Sequence, residues 1–252
     1  MTDWRAHLPE SIGDLPGGGV LRRTDPSGPA PATIAVLGVY PALTEKRIFT
    51  IDGVRVSLPT EVEGLSFEGG SASGAEIDGH YLHPLSLTRR DVFITDMMPY
   101  YFANTKKSTS GRSMADNVRL YESSIGTTTG IEPRPSSAKL VKLASEMPGN
   151  LDRLRDYFDR CKPCLLLTLG TEAAAFVRGM TFSAAYRQVD ELFYGQPMRT
   201  SFLGIDAQVV HLVHPHLFIK RNAKWMNRHE AWCQASGRDL VAGAPDEGPR
   251  EL

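Results

Sequence analysis

Three cysteines in 252 residues are too few for a disulfide framework, and the odd count suits a reducing compartment, so a cytoplasmic location is expected. No apolar run approaches the roughly 18–20 residues that a transmembrane helix needs. The N-terminus also lacks a basic stretch followed by an apolar one, so neither a membrane partner nor a signal peptide is expected. An excess of one charge is missing too: 28 Lys and Arg stand against 29 Asp and Glu, a net charge of −1. That balance excludes a histone-like protein that coats nucleic acid through bulk charge, but it leaves room for a local basic groove. No phosphate-loop signature and no Gly-x-Ser-x-Gly elbow occurs, which weakens the common nucleotide-hydrolase and α/β-hydrolase readings. What is present is an ordinary globular composition, 41% hydrophobic and 23% charged, long enough for a real core.

The chain divides into three parts. Residues 1–31 are rich in Pro and Gly and read as a loosely ordered N-terminal arm; 32–241 read as one α/β domain; 242–252 read as an acidic C-terminal tail. Within the domain, Thr33–Val39, Val92–Thr95, Cys164–Leu169 and Gln208–Val213 are short, continuous apolar runs, the pattern of strands buried on both faces of a parallel sheet. Helix-like segments separate them, at about Gly74–Leu85, Ala138–Arg160, Thr171–Arg178 and Phe218–Ser236. The alternation predicts an α/β fold with a central four-stranded parallel sheet. Ile48–Ser57 predicts an extra hairpin, because Asp52-Gly53 is a strong type I′ turn pair. Ala103–Pro135 is long, polar and rich in Ser, Thr and Gly, and reads as a functional or disordered loop.

In an open parallel sheet the ligand site lies beyond the carboxyl ends of the strands. Gly38-Val39-Tyr40-Pro41 follows the first run, Asp96 the second, Gly170-Thr171-Glu172 the third and His214-Pro215-His216-Leu217 the fourth. A turn, a carboxylate, a helix start and a histidine pair therefore converge on one rim. Each has a plain structural reading as well: a turn, a cap, an ordinary helix start. Gly170 and Thr171 have the free N–H groups that hold a phosphate at a helix start. A zinc site at His214 and His216 needs more ligands from elsewhere, so no metal is expected. Cys161-Lys-Pro-Cys164 has redox-motif spacing but precedes a strand instead of opening a helix, which favours a structural role. Two clusters carry positive charge: Lys106, Lys107, Arg112 and Arg119, and then Lys220, Arg221, Lys224 and Arg228 around Trp225. Either is a solvated face or a phosphate track.

The run Gly69–Tyr100 (GGSASGAEIDGHYLHPLSLTRRDVFITDMMPY), with Leu166–Ala174, Val213-His214-Pro215 and Gly38-Val39-Tyr40-Pro41, resembles the uracil-DNA glycosylase superfamily, in particular the bacterial iron–sulfur type. The likeness covers roughly Thr33–Arg228. It implies a three-layer α/β/α, uracil-DNA-glycosylase-like fold and a monofunctional DNA glycosylase that flips a nucleotide out of DNA and leaves an abasic site. Three departures stand out. Tyr40 stands in the place of the first-motif catalytic residue; the four cluster-binding cysteines are absent, so no cofactor is expected; and the Asn that closes the second strand is Asp96.

The resemblance implies catalytic roles for Asp96 and His214, the latter at the base O2, and base contacts from Gly38, Val39, Tyr40, Phe67 and Asp96. It implies DNA contacts from Gly170, Thr171, His216, Leu217, Phe218, Lys220 and Arg221, with Leu217 or Phe218 as the wedge that fills the vacated stack. The water-activating carboxylate is open among Asp96, Glu61, Glu63 and Asp78. An ionised Asp96 accepts from the amino group of cytosine and opposes O4 of uracil, an unpaired contact worth about 1–3 kcal/mol. That points to a modified cytosine, such as the hydroxymethylated or glucosylated cytosine of phage DNA, and hence to anti-phage defence. The alternatives are uracil excision in DNA repair, a silent relative that binds modified DNA, and an unrelated α/β hydrolase acting on a nucleotide or carbohydrate. DNA is the expected partner, with no obligate protein partner.

Overall fold

A computed structural model describes residues 8–109 and 111–244; the rest of the expected N-terminal arm and C-terminal tail lies outside the described residues. The chain opens with a hairpin of β1 (Ser11–Leu15) and β2 (Gly19–Arg22), so regular structure stands where a loosely ordered arm was expected. Leu8, Leu15 and Leu21 are buried there, which is what holds it. The segment after β2 is tied down as well. Ser27 exchanges backbone hydrogen bonds with Ile94 at 2.9 and 2.8 Å, and Asp25 receives one from Ser66 and gives one to Gly64. Gly and Pro content alone hides these long-range bonds.

The first central strand is β3 (Ile34–Gly38). A long hairpin follows, β4 (Leu43–Ile51) and β5 (Val54–Val62), turning at Asp52 and Gly53 with φ of 49° and 74°, the two left-handed residues that a type I′ turn requires. Next, α1 (Ala72–Glu76), capped by Ser71, runs on through a π turn over Ile77–Leu82 and a 3₁₀ turn over His83–Leu85 into β6 (Val92–Asp96). The polar stretch expected as a loop contains a helix, α2 (Met114–Ile125). Its signals were local: a Ser113–Asp116 capping box at one end and the left-handed Gly126 at the other.

The single helix expected over Ala138–Arg160 is two, α3 (Ser137–Glu146) and α4 (Asn150–Cys161), broken at Pro148-Gly149, where Gly149 adopts φ 73°. Then come β7 (Leu165–Leu169), α5 (Thr171–Val177), α6 (Phe182–Arg187), α7 (Val189–Leu192), β8 (Met198–Thr200) and β9 (Ala207–Leu212). The described chain ends in α8 (His216–Ile219), α9 (Ala223–Trp232), a π turn and α10 (Arg238–Ala242).

The central sheet has strand order β6-β3-β7-β9-β8. The strands β6, β3, β7 and β9 pair in parallel, and β8 runs antiparallel along β9, so the expected four-stranded parallel sheet is corrected to a five-stranded mixed one. The short strand β8 has two exposed residues and one half-buried one, and so escaped a reading based on apolar runs. Every residue of β3, β6 and β7 is buried, as continuous apolar runs require. The main core surrounds this sheet. A second cluster, including Leu21, Val56, Leu58, Tyr101, Ala115 and Val118, joins the β1–β2 and β4–β5 hairpins to α2.

Candidate functional site

The parallel register brings the four strand-end motifs together: Gly38 lies opposite Asp96 in β3 and β6, and Gly170 N donates to Leu212 O, linking the ends of β7 and β9. A cleft of about 1310 Å³ opens there. Val39, Tyr40, Phe67, Gly170, Thr171, His214, His216 and Leu217 line it on the sheet side, and the β4–β5 hairpin and the stretch before α2 form the opposite wall.

Asp96 sits behind this lining, 2% exposed. A Cβ on Gly38 would lie 2.3 Å from Asp96 Oδ1 and 2.3 Å from Phe67 Cε2, so the missing side chain is what lets carboxyl and ring approach the same backbone. Neither carboxyl oxygen is in hydrogen-bond geometry with a described residue. Burial pushes the Asp96 carboxyl up to about 8, and the nearby Glu63 pushes the same way; the Ser66 hydroxyl and the Arg153 guanidinium oppose them. Asp96 is therefore mostly protonated at pH 7. Its backbone is fixed from behind. Arg153, fully buried, donates to Asp96 O at 2.8 Å and to Met97 O at 3.2 Å, and Asn150 Nδ2 donates to Met97 O at 3.0 Å.

Phe67 closes over Asp96. It is buried, adopts φ 52°, and its ring lies 6.4 Å from that of His214 at 45°. A left-handed phenylalanine costs of order 1–3 kcal/mol, which the surrounding packing must offset. The loop that carries it is held by Ser27 Oγ donating to Ser66 O and Thr24 Oγ1 donating to Glu63 O, both 2.9 Å.

His214 follows β9. Burial lowers its imidazole to about 4, with Glu172 opposing, so the ring is neutral at pH 7. His216 N donates to His214 Nδ1 at 3.1 Å, which places the ring proton on Nε2. The preceding carbonyl, Val213 O, accepts from the buried Tyr81 hydroxyl. Gly170, at φ 97°, packs against His214, and a Cβ there would lie 3.3 Å from His214 Cβ.

Other expectations fare differently. Phe218 is 5% exposed and stacks on His80 with centroids 4.8 Å apart, so it belongs to the core and not to a wedge, while Leu217 is half-buried at the cleft. Lys220 and Arg221 are exposed but do not line the cleft. In α9, Lys224 and Arg228 are committed to Asp190, at 2.6 and 3.5 Å. Gly170 and Thr171 line the cleft, but Gly170 N is taken by Leu212 O and Glu172 stands beside them in the first turn of α5. Glu61 is exposed, and Asp78 is held by Arg89 at 2.7 Å, off the cleft. Glu63 does line the cleft: its carboxylate accepts from Ala42 N at 2.8 Å and Ser71 Oγ at 2.5 Å, and burial raises it above the ordinary range.

Sequence reasoning missed Arg134. It donates to Glu172 Oε1 at 2.9 Å and to the Tyr40 hydroxyl at 3.0 Å, and Ser137 Oγ donates to Glu172 Oε1 at 2.6 Å. Its sequence neighbours Pro133 and Pro135 signal only a loop. Cys161 and Cys164 form no disulfide and donate to Ala32 O and Thr33 O, and burial pushes Cys161 up to about 12, the state of an unreactive thiol. Among the described residues no group of three or more His, Cys, Asp or Glu side chains could hold a metal ion. No helix there is long and apolar enough to cross a membrane. Compared with known protein families the chain matches no family model, and compared with the curated proteins it matches none.

Proposed function

We propose that this protein is a monofunctional DNA glycosylase, built as a three-layer glycosylase-like fold around the mixed sheet. The observation that carries the reading is the meeting of a neutral His214, a protonated buried Asp96 and Phe67 at the carboxyl ends of the parallel strands, beside a cleft. Cleavage of an N-glycosidic bond leaves negative charge on the base and positive charge on the sugar. A neutral imidazole that holds its proton on Nε2 stabilises a developing oxyanion at the base O2 without bringing a charge of its own into the site. Asp96 reads the opposite edge of the base once the Phe67 ring moves aside and stacks on it. Glu63, the best placed of the four carboxylates considered, orients the attacking water.

The protonation of Asp96 changes which bases it can pair with. An ionised carboxylate only accepts, but a neutral one presents a donor and an acceptor, and its proton can sit on either oxygen. It therefore complements uracil and cytosine alike, and the choice passes to the space around the base. The cleft, about 1310 Å³, takes the strand as well as the flipped base and leaves room for a substituent, and we infer that the base is a hydroxymethylated or glucosylated cytosine, removed in anti-phage defence. Oligonucleotides carrying uracil, cytosine, hydroxymethylcytosine or glucosylated hydroxymethylcytosine, scored for alkali-labile abasic sites, test this. Cleavage confined to a modified cytosine is expected. Cleavage of uracil alone would move the protein to repair, and binding without cleavage would make it a silent reader. In Asp96→Asn the amide exchanges donor and acceptor only by turning over, whereas the acid merely moves its proton, so preference should shift toward uracil; an unchanged preference removes Asp96 from base reading.

A further inference from the structure

Of the two basic clusters in the sequence only the first reaches the cleft, through Lys106 and Arg112, and other elements supply the rest of its cations. Lys46, Arg55, Lys106, Arg112 and Arg134 line it against two carboxylates, Glu63 and Glu172, and Arg134 is spent on Glu172. The other four make no ion pair among the described residues, whereas Lys224 and Arg228 of α9 are committed to Asp190. Two of the four belong to the β4–β5 hairpin. Its register pairs Thr50 with Arg55, Ile48 with Ser57 and Lys46 with Pro59, so these six share one face. Along that face Lys46 and Arg55 are four residues apart on the ladder, roughly 14 Å at about 3.4 Å per residue. Midway between them stands Ile48, 63% exposed, among the most exposed large apolar side chains described. Lys106 and Arg112 flank the hairpin wall from the segment that leads into α2, and Asn117 of α2 donates to Ser57 O at 2.9 Å, which holds that segment and the hairpin together.

We propose that this hairpin wall is a nucleic-acid-binding surface: Lys46, Arg55, Lys106 and Arg112 take the phosphates of the strand that enters the cleft, and Ile48 lies against an unstacked base of that strand. The proposal rests on the glycosylase reading for the identity of the strand. An alternation of cation, apolar residue and cation suits a single strand, whose phosphates and base faces are both accessible. A free acidic protein surface would have no use for a bare isoleucine between the charges. Relieved of the phosphate track, α9 keeps its cations for packing over Trp225, where Lys224 Nζ lies 4.8 Å from the ring centroid.

The test is the salt dependence of binding to a single-stranded oligonucleotide of mixed sequence. Each phosphate contact contributes about 0.7 to the slope of log affinity against log salt for a single strand. In Lys46→Ala/Arg55→Ala the slope should fall by about 1.4, with at least a tenfold loss of affinity at low salt. Lys46→Arg/Arg55→Lys should restore it, and the charge-matched Lys224→Ala/Arg228→Ala should leave it at the wild-type value. A wild-type slope in the hairpin double variant, a loss confined to the α9 variant, or no binding by the wild-type protein would each overturn the proposal. Scoring abasic sites in the same samples separates the two readings. A slope loss with no abasic sites in any substrate removes the glycosylase and keeps the hairpin surface; abasic sites with an unchanged slope do the reverse.

Discussion

At the scale of single residues the site turns on two groups that stay neutral over a wider range of pH than they would in water. Asp96 is protonated up to about 8 and His214 is neutral down to about 4, both because burial disfavours the charged form. The signs for stability follow. The Asp96 carboxyl is raised above its unfolded value, so its contribution is full below about 4 and is lost as pH rises toward 8. Asp96→Asn removes that loss, and its thermal midpoint should exceed the wild-type midpoint by more at pH 9 than at pH 5; an equal difference at both would mean that the carboxyl is not the buried acid described. His214 is depressed, so its contribution is present above its unfolded value near 6.5 and is lost as pH falls toward 4. If both neutral forms are needed, kcat/KM should rise through about 4 and fall through about 8. A second prediction concerns space. Gly38→Ala puts a methyl group on Asp96 and Phe67, and should cost about 1–3 kcal/mol in denaturant unfolding, as overpacked sites do. A neutral effect there would mean that Phe67 yields freely.

At the scale of elements, α4 supports the site from behind the sheet through Arg153 and Asn150. Arg153 is buried to 1% exposure and serves the carbonyls of Asp96 and Met97. Arg153→Met keeps the apolar stem and removes the donors, and should destabilise by about 1–3 kcal/mol for the Asp96 carbonyl left bare, with Asn150 still serving Met97. Chemical denaturation checks this, and a change below about 0.5 kcal/mol would show that water replaces the guanidinium. The same elements show what a sequence can disclose. Strands β3, β6, β7 and β9 were legible because burial on both faces forces continuous apolar runs, and the hairpin turn because only certain pairs accept two left-handed residues. Strand β8 and the ordered segment Arg23–Ser27 were not, since backbone bonds to distant residues, such as Thr24 N to Pro99 O, leave no local mark. Helix α2 had its capping box in plain view, but Ser and Thr on both sides masked it.

At the scale of the whole molecule, a net charge of −1 conceals an uneven distribution. Four cations without an ion pair among the described residues gather on the hairpin wall of the cleft, while Lys142–Glu146, Arg155–Asp152 and Arg160–Asp156 are paired on the surface elsewhere. Part of the candidate site was legible for a topological reason: in a parallel sheet the residues that follow the strands must meet, which brings Gly38, Asp96, Gly170 and His214 together whatever the loops do. The rest was not. Arg134, Lys46 and Arg55 enter from elements outside the strand-end pattern, and Phe218 turns inward because the short α8 rotates it onto His80 and Tyr81. The proposed role of His214 in stabilising a departing base is best tested by comparing wild type with His214→Ala on the base panel, with single-turnover excision and DNA affinity measured on the same oligonucleotides. Abasic sites are expected from the wild-type protein and a loss of about 10²–10³ in excision rate from the variant, as for removal of one oxyanion donor, with affinity nearly unchanged. No abasic sites on any substrate, or equal losses of rate and affinity, would contradict it.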